Sequence, residues 1–280
     1  MLSKNLLRTR HFLLKPMFSF VQITDHHLRE SEALLTRGYS TAYAFRAVMR
    51  HIAQNWADRI DFIVTTGDLV DIGTAGEYQQ FRRMLGIAKT SHAPGPQPVN
   101  IEGLRDMPMY FLPGNHDPRA VFYRNMFALD VPHAWMNVVF THKNIQIVCI
   151  DWGGENKAVA YPEMLAHLGY AVESNAPTII WMHHGITPTG IPRLDSFLPD
   201  DLSAFKESLR KRNVLGILHG HFHASHESQI EGIPIFGTRS TTFSFAPEGE
   251  KLMAVLRPPH YRVLHVNDGR LSTEIVEVPL

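Results

Sequence analysis

The stretch VLGILHGHFH, residues 214–223, is an apolar run that ends in His219, His221 and His223. Four other stretches share its form. FSFVQITD (18–25) ends in Asp25, DFIVTTGD (61–68) in Asp68, MPMYFLPGNHD (107–117) in Asn115, His116 and Asp117, and PTIIWMHHG (177–185) in His183 and His184. Short apolar runs bounded by Gly, Pro and polar residues read as buried strands. Between them lie stretches of helical spacing. Ala44, Ala47, Val48, Ile52 and Trp56 follow the candidate cap Ser40, and further helices are expected around 77–88, 161–173 and 201–212. Strand alternating with helix predicts a layered α/β fold, in which loops at the carboxyl ends of strands converge on one site. Two more strands are expected near 136–141 and 145–151, and SHAPGPQPVN (91–100) reads as a surface loop. Beyond residue 226 the pattern is mostly β, with turns at EGIP, APEGE and NDGR, and no internal repeat suggests a solenoid.

Composition narrows the function classes. Lys+Arg and Asp+Glu both number 27 in 280 residues, so no net field gathers polyanions, and nucleic acid is disfavoured as a partner. The single Cys149, in the apolar run IQIVCIDW, allows no intrachain disulfide and points to a reducing, cytoplasmic setting. No run approaches the roughly 18 apolar residues of a membrane span. Residues 1–16 are basic and free of acids without the apolar core of a secretory signal, and are expected to form an extension to one domain over 17–280. HESQI lacks the second His of H-E-x-x-H, and neither a G-x-S-x-G elbow nor a Walker loop occurs.

The polar endings together carry the chemistry. Carboxylate, imidazole and amide oxygen suit divalent first-row metals, and there are more such groups than one tetrahedral zinc uses. Two ions fit better. In extended chain, residues i and i+2 point to one side, so Asp25 with His27, and His221 with His223, can each face one site; where the chain bends, they can reach neighbouring ions. A carboxylate such as Asp68 can bridge ions about 3.5–4 Å apart. Glycines in TTGD, LPGN and LHGH permit close backbone approach just before the ligands.

In order, D-x-H, G-D, G-N-H-D, a later His and G-H-x-H across residues 25–223 resemble the signature of the calcineurin-like metallophosphoesterases. With the β-rich tail containing GTRSTTFSF, the chain looks most like bacterial class III cyclic nucleotide phosphodiesterases and their glycerophosphodiesterase relatives. The resemblance implies a four-layer α/β/β/α sandwich of two mixed sheets flanked by helices, with the C-terminal β segment completing a sheet or packing on a second copy. It implies two divalent or mixed-valence ions (Mn, Fe, Zn or Co), one held by Asp25, His27 and His223, the other by Asn115, His183 and His221, with Asp68 between them. His116 would sit beside the substrate as phosphate-binding group or proton donor. Which of His183 and His184 ligates stays open, with His183 favoured and His184 in support.

The implied reaction is attack of a metal-activated water on phosphorus, in a site whose charge of about +2 falls to about +1 with hydroxide bound and is then neutralised by a monoanionic diester. Cyclic nucleotides are the leading substrates. Glycerol-linked or lipid-linked diesters, phosphomonoesters and a non-catalytic metal-binding scaffold are the alternatives. His219, His226, Asp71 and Asp117 are expected to be structural, with Asp117 fixing His116, while Trp152, Arg193 and Arg239 could be either substrate contacts or packing and surface residues.

Overall fold

The computed structural model describes residues 17–88, 91–131 and 135–280, so the expected extension, 1–16, lies outside the described residues. The chain starts with β1 (Phe18–Ile23), α1 (Thr41–Trp56), β2 (Phe62–Thr66), α2 (Ala75–Met84), β3 (Gln97–Ile101), β4 (Leu104–Leu112) and α3 (Arg119–Phe127). It continues through β5 (Val138–His142), β6 (Ile145–Ile150), α4 (Pro162–Glu173), β7 (Thr178–Met182), α5 (Pro192–Asp195), α6 (Ser203–Leu209) and β8 (Val214–His219). The β-rich tail holds β9 (His226–Ile230), β10 (Ile233–Gly237), β11 (Ser244–Glu248), β12 (Lys251–Val255), β13 (His260–Asn267) and β14 (Arg270–Glu277).

Two six-stranded sheets result, ordered β14-β13-β1-β2-β4-β3 and β5-β6-β7-β8-β10-β9. β1, β2 and β4 run parallel, as do β6, β7, β8 and β10, and the outer strands pair antiparallel. Alternation along each strand divides the core into three layers. Phe18, Phe20, Phe62, Val64, Tyr110 and Leu112 of the first sheet meet Ile147, Cys149, Ile179, Trp181 and Leu218 of the second. Their neighbours Val21, Ile23, Ile63, Met109 and Phe111 face α1, α2 and α3, while Val148, Ile150, Ile180, Met182 and Ile217 face α4 and α6. Strands buried on both faces read as unbroken apolar runs, which is why they were legible. The architecture is the expected four-layer sandwich of two mixed sheets.

The tail completes both sheets, β13 and β14 the first and β9 and β10 the second, while β11 and β12 pair only with each other. Ser40 caps α1 by accepting from Tyr43 N at 3.4 Å, as its position predicts. Two elements differ from expectation. The segment expected as a loop over 91–100 contains the start of β3; its Pro98 is tolerated because β3 is an edge strand. The unforeseen α3 begins after Pro118, at a position with no side-chain cap, and its buried Phe122, Tyr123, Met126 and Phe127 blur any polar face. Among the described residues, no helix is long and apolar enough to cross a membrane.

Phe62 is buried between the sheets against Phe18, Phe20, Tyr110 and Trp181. Phe62→Ala is expected to lower unfolding free energy by about 3–5 kcal/mol, measured by denaturant titration. A loss below about 1 kcal/mol would contradict the inter-sheet packing.

Candidate metal centre

The carboxyl ends of β1, β2 and β4 meet those of β7 and β8 at one rim, and the chain there is sharply bent. Asp25, His27, Asp68, His221 and His223 adopt left-handed backbone, with φ of 55°, 46°, 52°, 69° and 50°. For non-glycine residues this conformation costs about 1–2 kcal/mol each, and such strain concentrates at functional sites. Bends explain a departure from extended geometry: His221 and His223 diverge into different groups instead of facing one site. Glycines make the crowding possible. A Cβ on Gly114 would collide with the Asp68 carboxylate, and one on Gly220 with Thr24 and Asp25.

Asp25, His27 and His223 form one group, and Asp68, His183 and His221 a second, with donor atoms in each within 4.8 Å of one another; His27, Asp71 and His116 come equally close as a less buried third set that shares His27 with the first. His27 Nε2 lies 3.1 Å from His223 Nε2, which is 3.4 Å from Asp25 Oδ1. Asp68 Oδ2 stands 3.5 Å from both His27 Nε2 and His183 Nε2, so one oxygen faces both groups. Asn115 Oδ1 lies 3.0 Å from His183 Nε2 and 2.9 Å from His221 Nδ1.

The protons of these rings are largely accounted for. His223 Nδ1–H donates to the Phe243 carbonyl and His183 Nδ1–H to the Thr66 carbonyl, both at 2.8 Å. A carbonyl can only accept, so in each neutral ring Nε2 is a bare lone pair aimed inward. Between His183 Nε2, a carboxylate oxygen and an amide oxygen there is then a place for positive charge, which a ring proton fills in the metal-free protein and a metal ion could take over. This donor set fits a cation between the groups, and its mixture of nitrogen and oxygen suits first-row divalent metals.

The electrostatics agree. Burial raises the Asp25 carboxyl to about 6. Burial would raise Asp68 too, but His183 and His116 outweigh it and hold the carboxyl well below its usual range. Burial would lower His183, yet Asp68 and Asp25 outweigh it and lift the ring to about 9, whereas burial, with neighbouring imidazoles, holds His221 and His223 well below 6.5.

The remaining sequence candidates fall around this core. His116 donates its backbone N–H to Asp68 Oδ1 at 2.8 Å, and its Nδ1 lies 2.5 Å from the Asp71 carbonyl. Asp71 Oδ1 in turn stands 3.5 Å from His27 Nδ1. Asp117 does not fix His116; it accepts from Leu69 N, Gly114 N and Tyr78 Oη, tying two loops together. His26 turns away to the Thr241 and Thr65 hydroxyls, and His184 Nε2 donates to the Glu155 carbonyl at 2.8 Å. His219 and His226 contact the Gly220 and Pro188 carbonyls, Trp152 packs on Phe205, and Arg239 pairs with Glu277.

The groups open into a pocket of about 540 Å³ lined by His116, Asn156, Phe197, Phe243, Arg37 and Arg193 among others. Larger grooves of about 680 and 740 Å³ beside the β3–β4 turn bring no such donor groups together. Arg37, Asn156 and Phe197 carry no motif, and Phe243 and Phe245, though within GTRSTTFSF, were not singled out as site residues. Only the fold brings them to the GHFH segment, where Phe243 and Phe245 pack on His223 at 4.7 and 4.5 Å.

The sequence profile of the Calcineurin-like phosphoesterase family matches residues 18–225. The chain belongs to this family. Calcineurin-like phosphoesterases use a dinuclear metal centre, and the two donor groups lie within the matched span. The chain is 25% identical over 274 residues to the 3',5'-cyclic adenosine monophosphate phosphodiesterase CpdA of Haemophilus influenzae, covering 94% of this chain and 91% of that one. It is 29% identical to the Escherichia coli enzyme of the same name, with 91% and 88% covered, and 26% identical to a 3',5'-cyclic-nucleotide phosphodiesterase of Nostoc, with 93% and 92% covered. Among solved structures, purple acid phosphatase PPD1 from yellow lupin shares the fold, with a TM-score of 0.65 at 14% identity over 93% of this chain and 51% of that one.

His183 supplies a pH prediction for this calcineurin-like phosphoesterase. A ring raised from 6.5 to about 9 stabilises the metal-free fold fully below pH 6.5, and that contribution is lost as pH rises through 9. A metal must displace the same proton. Mn(II) binding at pH 7.5 is therefore expected to release protons, and affinity to tighten from pH 6.5 to 9, as read by calorimetry in buffers of different ionisation enthalpy. Affinity independent of pH would contradict the assignment.

Proposed function

We propose that this calcineurin-like phosphoesterase hydrolyses small phosphodiesters, 3',5'-cyclic nucleotides first among them. Asp25, His27 and His223 would hold one metal ion, Asn115, His183 and His221 a second, and Asp68 would bridge them. The observation carrying the reading is the single oxygen Asp68 Oδ2, 3.5 Å from an imidazole Nε2 of each group. Similarity over nine-tenths of the chain to cyclic nucleotide phosphodiesterases supports the substrate class. The ligand set accommodates Mn, Fe, Zn or Co, and availability would select among them. The buried thiol of Cys149 fits a reducing, cytoplasmic setting.

When bound, two such ions would activate water near neutral pH and withdraw charge from the phosphoryl oxygens. The residues supply the remaining functions. His116 lines the pocket, and with Nδ1–H directed to the Asp71 carbonyl its Nε2 is the atom free to carry a proton to the leaving alkoxide. Its own N–H fixes Asp68 Oδ1, so Oδ2 is left for the centre. Phe197 and Phe243 offer aromatic faces on opposite flanks, beside His221 and His223, and suit a planar base. Arg37 and Arg193 add positive charge at the mouth, complementing an anionic diester.

Metal-stripped protein is expected to regain hydrolysis of bis(p-nitrophenyl) phosphate and cyclic AMP when Mn(II) is added. Inactivity towards both diesters with Mn(II) bound would overturn the reading. His116→Ala should keep its metal content while turnover falls about 10²–10⁴-fold; unchanged turnover would remove its role as proton donor.

A further inference from the structure

Asn115 is the one amide among the groups around the two metal sites, and an amide can face a cation in only one of its two orientations. Its Oδ1 can coordinate, whereas its Nδ2 presents protons that repel a cation. The two ends have nearly the same size, so packing alone does not choose between them. The imidazoles of His183 and His221 meet the amide on the Oδ1 side, and a partner on the Nδ2 side fixes the same orientation independently of their protons and of a metal. That partner is Asn156, whose Oδ1 accepts from Asn115 Nδ2 at 2.9 Å, and no motif marks it.

Asn156 lies in the loop that follows β6, on the second sheet, while Asn115 follows β4 on the first. The loop is anchored from three directions. Asp151, at its root, is paired with Arg119 and accepts from the Met136 and Gly153 N–H groups at 3.0 Å each. Arg119 also reaches the Gly153 carbonyl at 2.5 Å, and its Nη1 holds the Gly114 and Asp117 carbonyls at 2.5 and 2.9 Å, on either side of Asn115 and His116. The Glu155 carbonyl, next to Asn156, accepts from His184 Nε2 at 2.8 Å. One buried guanidinium therefore ties the backbone carrying Asn115 to the loop carrying Asn156, and His184, beside the second metal group, fixes the loop's far end.

We infer that Asn156 is a positioning residue that turns the Asn115 amide so that its oxygen, not its nitrogen, faces the second metal site. This rests on the proposed dinuclear centre. Its action is through Asn115 and requires no contact with the metal.

The acceptor chemistry at position 156 makes the inference testable. Asn156→Leu keeps approximate size and removes the acceptor. Asn156→Asp keeps an acceptor and, unlike Asn, cannot reverse its own polarity, so it should hold Asn115 in the ligating orientation at least as well. The experiment is calorimetric titration of metal-stripped full-length protein with Mn(II), accompanied by thermal unfolding of each variant. The parent is expected to bind two Mn(II) per chain. Asn156→Leu should bind the first as the parent does and the second about 10–100-fold more weakly, with an unchanged melting temperature, while Asn156→Asp should retain both sites. Equal binding by the parent and Asn156→Leu would overturn the inference and leave the metal centre intact. So would a matching loss in Asn156→Asp, or weakening of both sites together with a lowered melting temperature. A parent that binds fewer than two ions would remove the dinuclear reading, and the inference with it.

Discussion

A place for positive charge is built where the two sheets meet. His183 Nε2, its Nδ1–H committed to Thr66, stands 3.5 Å from Asp68 Oδ2 and 3.0 Å from Asn115 Oδ1, an arrangement that a ring proton satisfies in the metal-free fold and that a metal ion would take over. In a buried rim such an arrangement is unfavourable without positive charge at its centre. Much of the surrounding structure serves to impose it: left-handed bends that aim five of the proposed ligands, glycines that let backbone approach carboxylate, and carbonyls of Thr66 and Phe243 that fix ring protons on the outer side. Strain and like-polarity contacts at one place are coherent only if binding a cation relieves them.

The layers explain how that imposition is sustained. Aromatic and aliphatic residues between the sheets, Phe62 and Trp181 among them, lock the first sheet against the second. The proposed ligands that follow β1, β2 and β4 are thereby held against those that follow β7 and β8, although they are far apart in sequence. Polar ties across the same seam add precision, as where the Arg119–Asp151 pair joins the loop after β4 to the end of β6. A chain with no net charge concentrates its electrostatics in this seam, with Arg37 and Arg193 at its mouth.

Much of this was legible in the sequence because strands buried on both faces leave unbroken apolar runs, and the polar residues that end them stand out. Asp25, Asp68, His183 and His221 could be singled out on that ground alone. The partition of His221 and His223 between two groups came only from the family resemblance, because physically it depends on left-handed backbone at residues where propensity predicts none. Asn156, and the contact of Asp71 with His27, were hidden. Their roles arise from hydrogen-bond geometry between loops of different strands, and no local spacing encodes it. The uncapped α3 and the proline-bearing edge strand β3 show the same limit in the scaffold, where tertiary packing overrides weak local signals.

The most direct test of the central claim is anomalous diffraction from crystals of the protein grown with Mn(II). The account predicts two peaks about 3.5–4 Å apart, one beside Asp25, His27 and His223, the other beside Asn115, His183 and His221, with the Asp68 carboxylate between them. A single peak, or manganese bound elsewhere with these side chains unchanged, would contradict it.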